Sequence, residues 1–415
     1  MEKSKLMDEL NYLDGWYGWE TDKVFPFRWM SCRSRLGLPA DALKNNRFLA
    51  LLVFSEFADH SQVVTVSRAG RTLAELPLLY QWSHYSVDLG ERTSGSAPDE
   101  PVEISLTVNK PFPEKYHRGD GRELAVRVGP VDFHNDAARH ENFLFYLNNA
   151  RLNDREMRRG RTRLESYPLN LGIDLFGKCN ISPPCVYCLW DRMKILEGPY
   201  TDAVVDDATL QGYGPFFKSA RNLVNCSFGE PLLHPRFQEL LDLFQRSGKL
   251  VEISTNGQAF TPRTINALAG KHVFLYISLD AATRETYAKI RNDKWDPIVP
   301  NLRLLNEERK KAGNFPKIFM VFMPMRVNRG DLEAYFQLCR EIEADSLVLR
   351  PLVYLWNPRI EKDRGGYHFS YEDELLKPEE LRAIVGRAEG YSRKYGIPVA
   401  NQFNFGAMTP PGAKD

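Results

Sequence analysis

The chain of 415 residues carries 55 Lys+Arg against 54 Asp+Glu, a formal net charge of +1, and is 43% hydrophobic. That balance excludes a general nucleic-acid binder, which needs a basic face. The six cysteines are too sparse for a disulfide scaffold. The opening MEKSKLMDEL lacks the basic, apolar and small-residue pattern of a secretory signal. The longest apolar run, 48–54, is far too short to span a bilayer. A cytoplasmic location with no membrane span is the expectation.

Residues 1–136 read as an antiparallel β-sandwich. The runs 47–54, 61–73, 84–90, 101–108 and 123–133 mostly alternate apolar and polar residues between Gly, Pro and Asp breaks. The polar, basic stretch 137–165 is expected to be a helical connector. From 166 to 358 the texture changes to strand-like runs (169–176, 222–228, 250–255, 273–279, 317–323, 345–352) alternating with helical patterns. Such alternation means a parallel sheet with helices outside, doubly wound or a partial barrel. The expected fold class is α/β: a partial (β/α)6 TIM-type barrel preceded by the sandwich. In either arrangement the chemistry belongs just after the strand C-termini. The tail 359–415 is polar, with one helix expected at 378–396.

Three cysteines, Cys179, Cys185 and Cys188, fall in the loop after the first of these strands. Three thiolates on one loop form a soft-ligand site suited to zinc or iron–sulfur. A structural zinc wants a fourth Cys or His nearby, and the loop offers none. A [4Fe–4S] cluster held by three cysteines leaves one iron open to an outside ligand. Cys32 and Cys339 sit in β and amphipathic helical contexts and read as structural.

The loop resembles the cluster-binding loop of the radical S-adenosylmethionine (SAM) superfamily, including an aromatic, Tyr187, before the last cysteine. It has five residues between the first two cysteines where the usual loop has three. Similar motifs follow each later strand: Ser227-Phe228-Gly229-Glu230-Pro231, Ser254-Thr255-Asn256-Gly257, Ser278-Leu279-Asp280-Ala281, then Arg291, and finally the run 323–328. The likeness spans about 166–355 and is to the SLDAAT-type barrels related to the SPASM/twitch subgroup. It implies a [4Fe–4S] cluster on Cys179, Cys185 and Cys188. It also implies SAM contacts from Gly229, Glu230, Ser254, Asn256, Ser278, Asp280 and Arg291. Glu230 or nearby carbonyls would accept from the SAM amino group, and Arg291 would pair with the SAM carboxylate.

The implied chemistry is reductive cleavage of SAM to a 5′-deoxyadenosyl radical that abstracts hydrogen from a substrate. A reductant such as flavodoxin or ferredoxin is implied as a partner. Cys226, at the end of the second strand, is a candidate hydrogen donor or a small core residue. Trp190, Asp191, Arg192, Arg350, Tyr354 and Trp356 are candidates to line the mouth, or serve packing. No cysteine follows Cys339, so one cluster is expected in this chain, whose abrupt end would suit a shortened one.

The segments GWYGWE (15–20), FPFRWM (25–30) and 119–133 resemble a sandwich module attached to polysaccharide-synthesis enzymes. Trp16, Tyr17, Trp19 and Trp29 either present rings to a sugar or fill the sandwich core. A carbohydrate or glycoconjugate is therefore the expected substrate, for oxidation, epimerisation or rearrangement. A peptide- or protein-modifying maturase is the alternative within the enzyme class. A zinc- or cluster-stabilised non-catalytic binding protein is the alternative outside it.

Overall fold

Period-two alternation in the first third of the chain closes two antiparallel sheets on one another. The computed structural model describes residues 10–21, 26–38, 46–57, 59, 61–80, 82–90, 102–114, 119–129, 131–173, 176–188, 204–220, 222–225, 229–246, 250–352 and 361–403. It divides into two compact units, 1–169 and 170–415.

In the first unit one sheet runs β1 (Asn11–Tyr12), β4 (Arg33–Leu38), β9 (Val102–Val108), β6 (Val63–Arg68) and β7 (Arg71–Pro77). The other runs β11 (Asp132–His134), β5 (Phe48–Phe54), β10 (Val126–Val128), β3 (Pro26–Met30) and β2 (Trp16–Thr21), with β8 (Ser83–Asp88) also on β5. Leu36, Val66 and Ile104 from one sheet meet Leu49, Leu51 and Tyr85 from the other in one core. The helix expected as a connector, Ala137–Arg158, packs within this unit. Its Tyr146, Leu147 and Ala150 join that core, and Phe143 stacks on His84 of β8. This second cover explains why β5 is an unbroken apolar run rather than an alternating one.

In the second unit β12 (Asn170–Ile173), β13 (Asn222–Asn225), β14 (Leu250–Thr255), β15 (Val273–Ser278), β16 (Lys317–Phe322) and β17 (Ser346–Leu349) pair in parallel and in consecutive order. Consecutive order without a switch point is the topology of an open barrel rather than a doubly wound sheet. One face packs on the helices: Ile253, Leu275, Ile277, Ile318, Met320 and Phe322 share a core with Leu302, Tyr335 and Phe336. The alternate residues form cross-strand layers on the other face, Ser254 opposite Tyr276 and Tyr276 opposite Phe319. Those last two rings stack at 5.1 Å.

Two elements go beyond the expected six repeats. The tail supplies a seventh parallel strand, β20 (Val399–Asn401), paired with β17. Its crossover is the helix Pro378–Tyr395, closed by Gly396 at φ 70° in the left-handed region. Before it lies a hairpin, β18 (Glu361–Arg364) and β19 (Tyr367–Ser370). Gly365 and Gly366, at φ 55° and 81°, form its two-residue turn; positive φ at both central positions is what a type I′ turn needs. A three-residue strand and an all-polar EKDR strand carry no apolar period, so pattern alone passes over both.

The Tyr335 hydroxyl, on the helix Leu332–Glu341, donates to the Val321 carbonyl at 2.6 Å with both residues buried. Tyr335→Phe leaves that contact unmade and should cost about 1–3 kcal/mol. Urea unfolding reads it; an unchanged midpoint would show the bond to be worthless.

Candidate functional site

Behind β12 the chain brings Cys179, Cys185 and Cys188 to the C-terminal edge of the parallel sheet. Cys188 N–H donates to the Cys185 carbonyl at 3.0 Å, closing a tight turn. Val186 N–H donates to the Ile290 carbonyl at 2.9 Å, pinning the loop to the end of the helix Arg284–Ile290. Cys179 is exposed, Cys188 partly buried and Cys185 buried. Burial pushes the Cys185 thiol up to about 11, against the pull of the Arg291 guanidinium, with Cys188 and Cys179 near enough to add to the rise.

Two N–H donors reach these sulfurs from segments distant in sequence. Asn256 Nδ2 lies 3.5 Å from Cys179 Sγ, and Arg291 Nη1 lies 3.6 Å from Cys185 Sγ. Asn256 is held for this by its own hydrogen bonds. Its backbone N–H donates to Glu230 Oε2 at 2.8 Å, its Oδ1 accepts from Gln258 N–H at 2.8 Å, and Nδ2 also reaches Asn180 Oδ1 at 2.9 Å.

Glu230 therefore faces the protein. Its other oxygen, Oε1, accepts from the Thr255 hydroxyl at 2.8 Å and the Leu232 N–H at 3.2 Å. Burial pushes the carboxyl up to about 7 despite these three donors. The structure thus gives Glu230 partners within the chain, tying the end of β14 to the segment after β13. Gly229 likewise answers to the chain: a Cβ there would sit 2.4 Å from the carbonyl oxygens of Phe176 and Lys178. The backbone that passes close to this glycine is that of residues 176–178, ahead of the cysteines.

Asp280 sits at φ 60°, in the left-handed region that aspartate tolerates better than most residues. Three contacts hold it there. Oδ1 accepts from Met323 N–H at 3.0 Å, its carbonyl accepts from Asn328 Nδ2 at 2.8 Å, and Oδ2 accepts from Arg291 Nη2 at 2.7 Å. The pair is dry, with side chains 4% and 0% exposed. Arg291 also donates to the Leu279 carbonyl (3.1 Å), Ser278 Oγ (2.9 Å) and Tyr187 Oη (2.6 Å), while the Tyr187 hydroxyl donates to Asp280 Oδ2 at 2.6 Å. The arginine fork is thus largely engaged by the protein itself. Tyr187, expected only as an aromatic before the last cysteine, links the loop to this pair.

Ser254 and Ser278 are half-buried near the ends of β14 and β15. Cys226, Trp190, Asp191, Arg192, Tyr354 and Trp356 lie outside the described residues. Arg350 lies 5.8 Å over the Tyr276 ring. In the first unit Trp29 is buried and stacked on Phe112, a core role, whereas Trp19 is 48% exposed.

Among the described residues no three His, Cys, Asp or Glu side chains are gathered tightly enough for a single metal ion. Three soft thiols on one loop, with N–H donors on two sulfurs, suit a larger iron–sulfur cluster instead. The residues fit that group.

Removing one member of a dry ion pair strands the other. Asp280→Ala should destabilise the cluster-free second unit by about 3–5 kcal/mol in urea unfolding; a loss under 1 kcal/mol, typical of an exposed pair, would contradict this reading. Thiol alkylation of cluster-free protein should modify Cys179 at pH 8 well before Cys185. The Cys185 rate should climb about tenfold per pH unit up to about 11, because only the thiolate reacts. Equal rates at pH 8, resolved by peptide mass spectrometry, would contradict the burial.

Residues 173–339 match the Radical SAM superfamily. Mycofactocin maturase MftC of Mycobacterium tuberculosis is 34% identical over 187 residues, 44% of this chain and 44% of that protein. The mouse S-adenosyl-L-methionine-dependent tRNA 4-demethylwyosine synthase TYW1 is 25% identical over 145 residues, 33% of this chain and 19% of that protein. Streptococcus suis SuiB bound to S-adenosylmethionine overlays with a TM-score of 0.48 at 16% identity, covering 68% of this chain and 60% of SuiB. The chain spans less than half the length of the MftC relatives it matches. Over residues 173–339 the second unit of this chain is thus similar to the radical SAM superfamily.

Proposed function

We propose that this chain is a radical SAM enzyme that modifies a peptide or protein substrate. One observation carries the chemistry: three thiols of a single loop at the strand C-termini, two of them receiving N–H donors from Asn256 and Arg291. A [4Fe–4S] cluster on these thiols, when bound, supplies the electron that cleaves the S–C5′ bond of SAM into methionine and a 5′-deoxyadenosyl radical. The chain's own residues position and enclose. Asn256 and Arg291 offset the negative charge of the ligating sulfurs. Glu230, Asp280 and Tyr187 hold the strand ends and the loop in register. SAM contacts fall to Ser254, Ser278 and the backbone beside Gly229 and Asn256, while the Arg291 charge faces the same edge. A low-potential flavodoxin or ferredoxin supplies the electrons.

For the substrate, support comes from relatives named maturases, one of them 34% identical over 187 residues. That favours a peptide over the carbohydrate suggested by the front module. The saccharide reading keeps one observation: Trp19 is half exposed with the Arg28 guanidinium 4.7 Å over its ring, a platform on which a sugar could stack.

Anaerobically reconstituted protein should hold about four irons per chain and release 5′-deoxyadenosine from SAM under dithionite. Cys185→Ala should lose the iron and the product. Zinc without iron would sink the enzyme reading in favour of a non-catalytic, metal-stabilised binding protein. If a short peptide is encoded beside the gene, adding it should raise 5′-deoxyadenosine and change that peptide's mass. Turnover on a nucleotide sugar, with the peptide unchanged, would reverse the substrate assignment.

A further inference from the structure

The tail hairpin lies against the cysteine loop, and none of the site motifs accounts for it. Lys362 Nζ donates to the Cys185 carbonyl at 3.2 Å. Arg364 bridges two segments: its Nη2 donates to the Pro184 carbonyl, and its Nη1 to those of Arg291 and of Ile290, the latter at 3.3 Å. Just past the hairpin, the Tyr371 hydroxyl donates to the Tyr187 carbonyl at 2.9 Å. Beneath these bonds Phe369 and Tyr371 bury against Val186, Ile290 and Met325.

Two cations and two aromatics from one hairpin and its exit thus converge on four consecutive residues, 184–187, around the most buried cluster ligand. The same arginine caps the carbonyls that end the helix carrying Arg291, where positive charge is favoured. We propose that this hairpin is a clamp on the cluster loop, in which Lys362 and Arg364 are positioning residues that retain the cluster and raise its reduction potential. The physical basis is twofold. Bridging Pro184 to Ile290 and Arg291 keeps Cys185 under the Arg291 N–H. Positive charge beside a centre that gains an electron favours its reduced form.

This inference rests on the cluster reading above, and the test separates the two. If unmodified, reconstituted protein holds no iron–sulfur cluster, that reading fails before any variant is compared. If it does, Arg364→Met is measured by potentiometric titration followed by electron paramagnetic resonance, and by iron loss to a ferrous chelator. At the midpoint of the unmodified protein the reduced-to-oxidised ratio should fall about tenfold, a shift of ~59 mV to more negative potential. Iron loss should be about tenfold faster. Arg364→Lys should restore most of the potential, since the charge returns, but only part of the retention, since a single ammonium cannot reproduce the bridging fork. Unchanged potential and unchanged iron loss in Arg364→Met would overturn the clamp. Should circular dichroism show that variant unfolded, Lys362→Met is read by the same two measurements, and no change in either overturns it equally.

Discussion

Taking either Asp280 or Arg291 out of water alone would cost several kcal/mol. Together they are tolerated because nearly every polar atom between them has a partner. The carboxylate meets a guanidinium, a phenol, a hydroxyl and a backbone N–H; the guanidinium meets a carbonyl, two hydroxyls and a sulfur. This one pair joins four segments that the chain must bring together: the end of β15, the end of the following helix, the cysteine loop through Tyr187, and the end of β16 through Met323. Remove either charge and the four lose the junction they share, although β15 and β16 stay paired and the Val186–Ile290 bond still pins the loop to the helix end.

Much of this was legible in the sequence because the signal was periodic. Six strand–helix alternations placed the loops after β12, β14 and β15, and the SLDA and TNG runs then fell at strand ends without further assumption. What the chain order could not disclose was the direction in which the polar groups face. The resemblance of the Ser227–Pro231 motif gave Glu230, or nearby carbonyls, the role of accepting from the SAM amino group. In space Glu230 is turned inward on Thr255, Asn256 and Leu232, since an unpartnered carboxylate in so buried a place would be costlier than a structural one. Gly229, expected as a SAM contact, has the backbone of residues 176–178 passing close to it. Asp280's left-handed conformation leaves no trace in composition.

The tail shows the opposite failure, a signal present but too short to weigh. Gly-Gly between EKDR and YHFS is a hairpin turn by the ordinary rule, yet neither flank has an apolar period to support it. Its structure is decided by partners far away: Phe369 finds its apolar neighbours on the cysteine loop and at the end of β16. In the front unit the lesson is similar for tryptophan. Trp29 and Trp19 are ten residues apart on paired strands, and only the pairing decides that one is core and the other surface.

The distance along the chain between the loop and its clamp has a temporal side. Pro184 and Arg364 are 180 residues apart. At a synthesis rate of about 5–20 residues per second, roughly 10–40 seconds separate the emergence of one from the other. During that interval the cysteines have emerged, but Phe369, Tyr371 and the seventh strand do not yet exist to cover Val186 or pair with β17. A cell assembling this protein therefore meets an uncovered thiol loop before the hairpin that covers it. The natural moment for loading metal falls within that window, and synthesis of the hairpin is also the step that covers the loop.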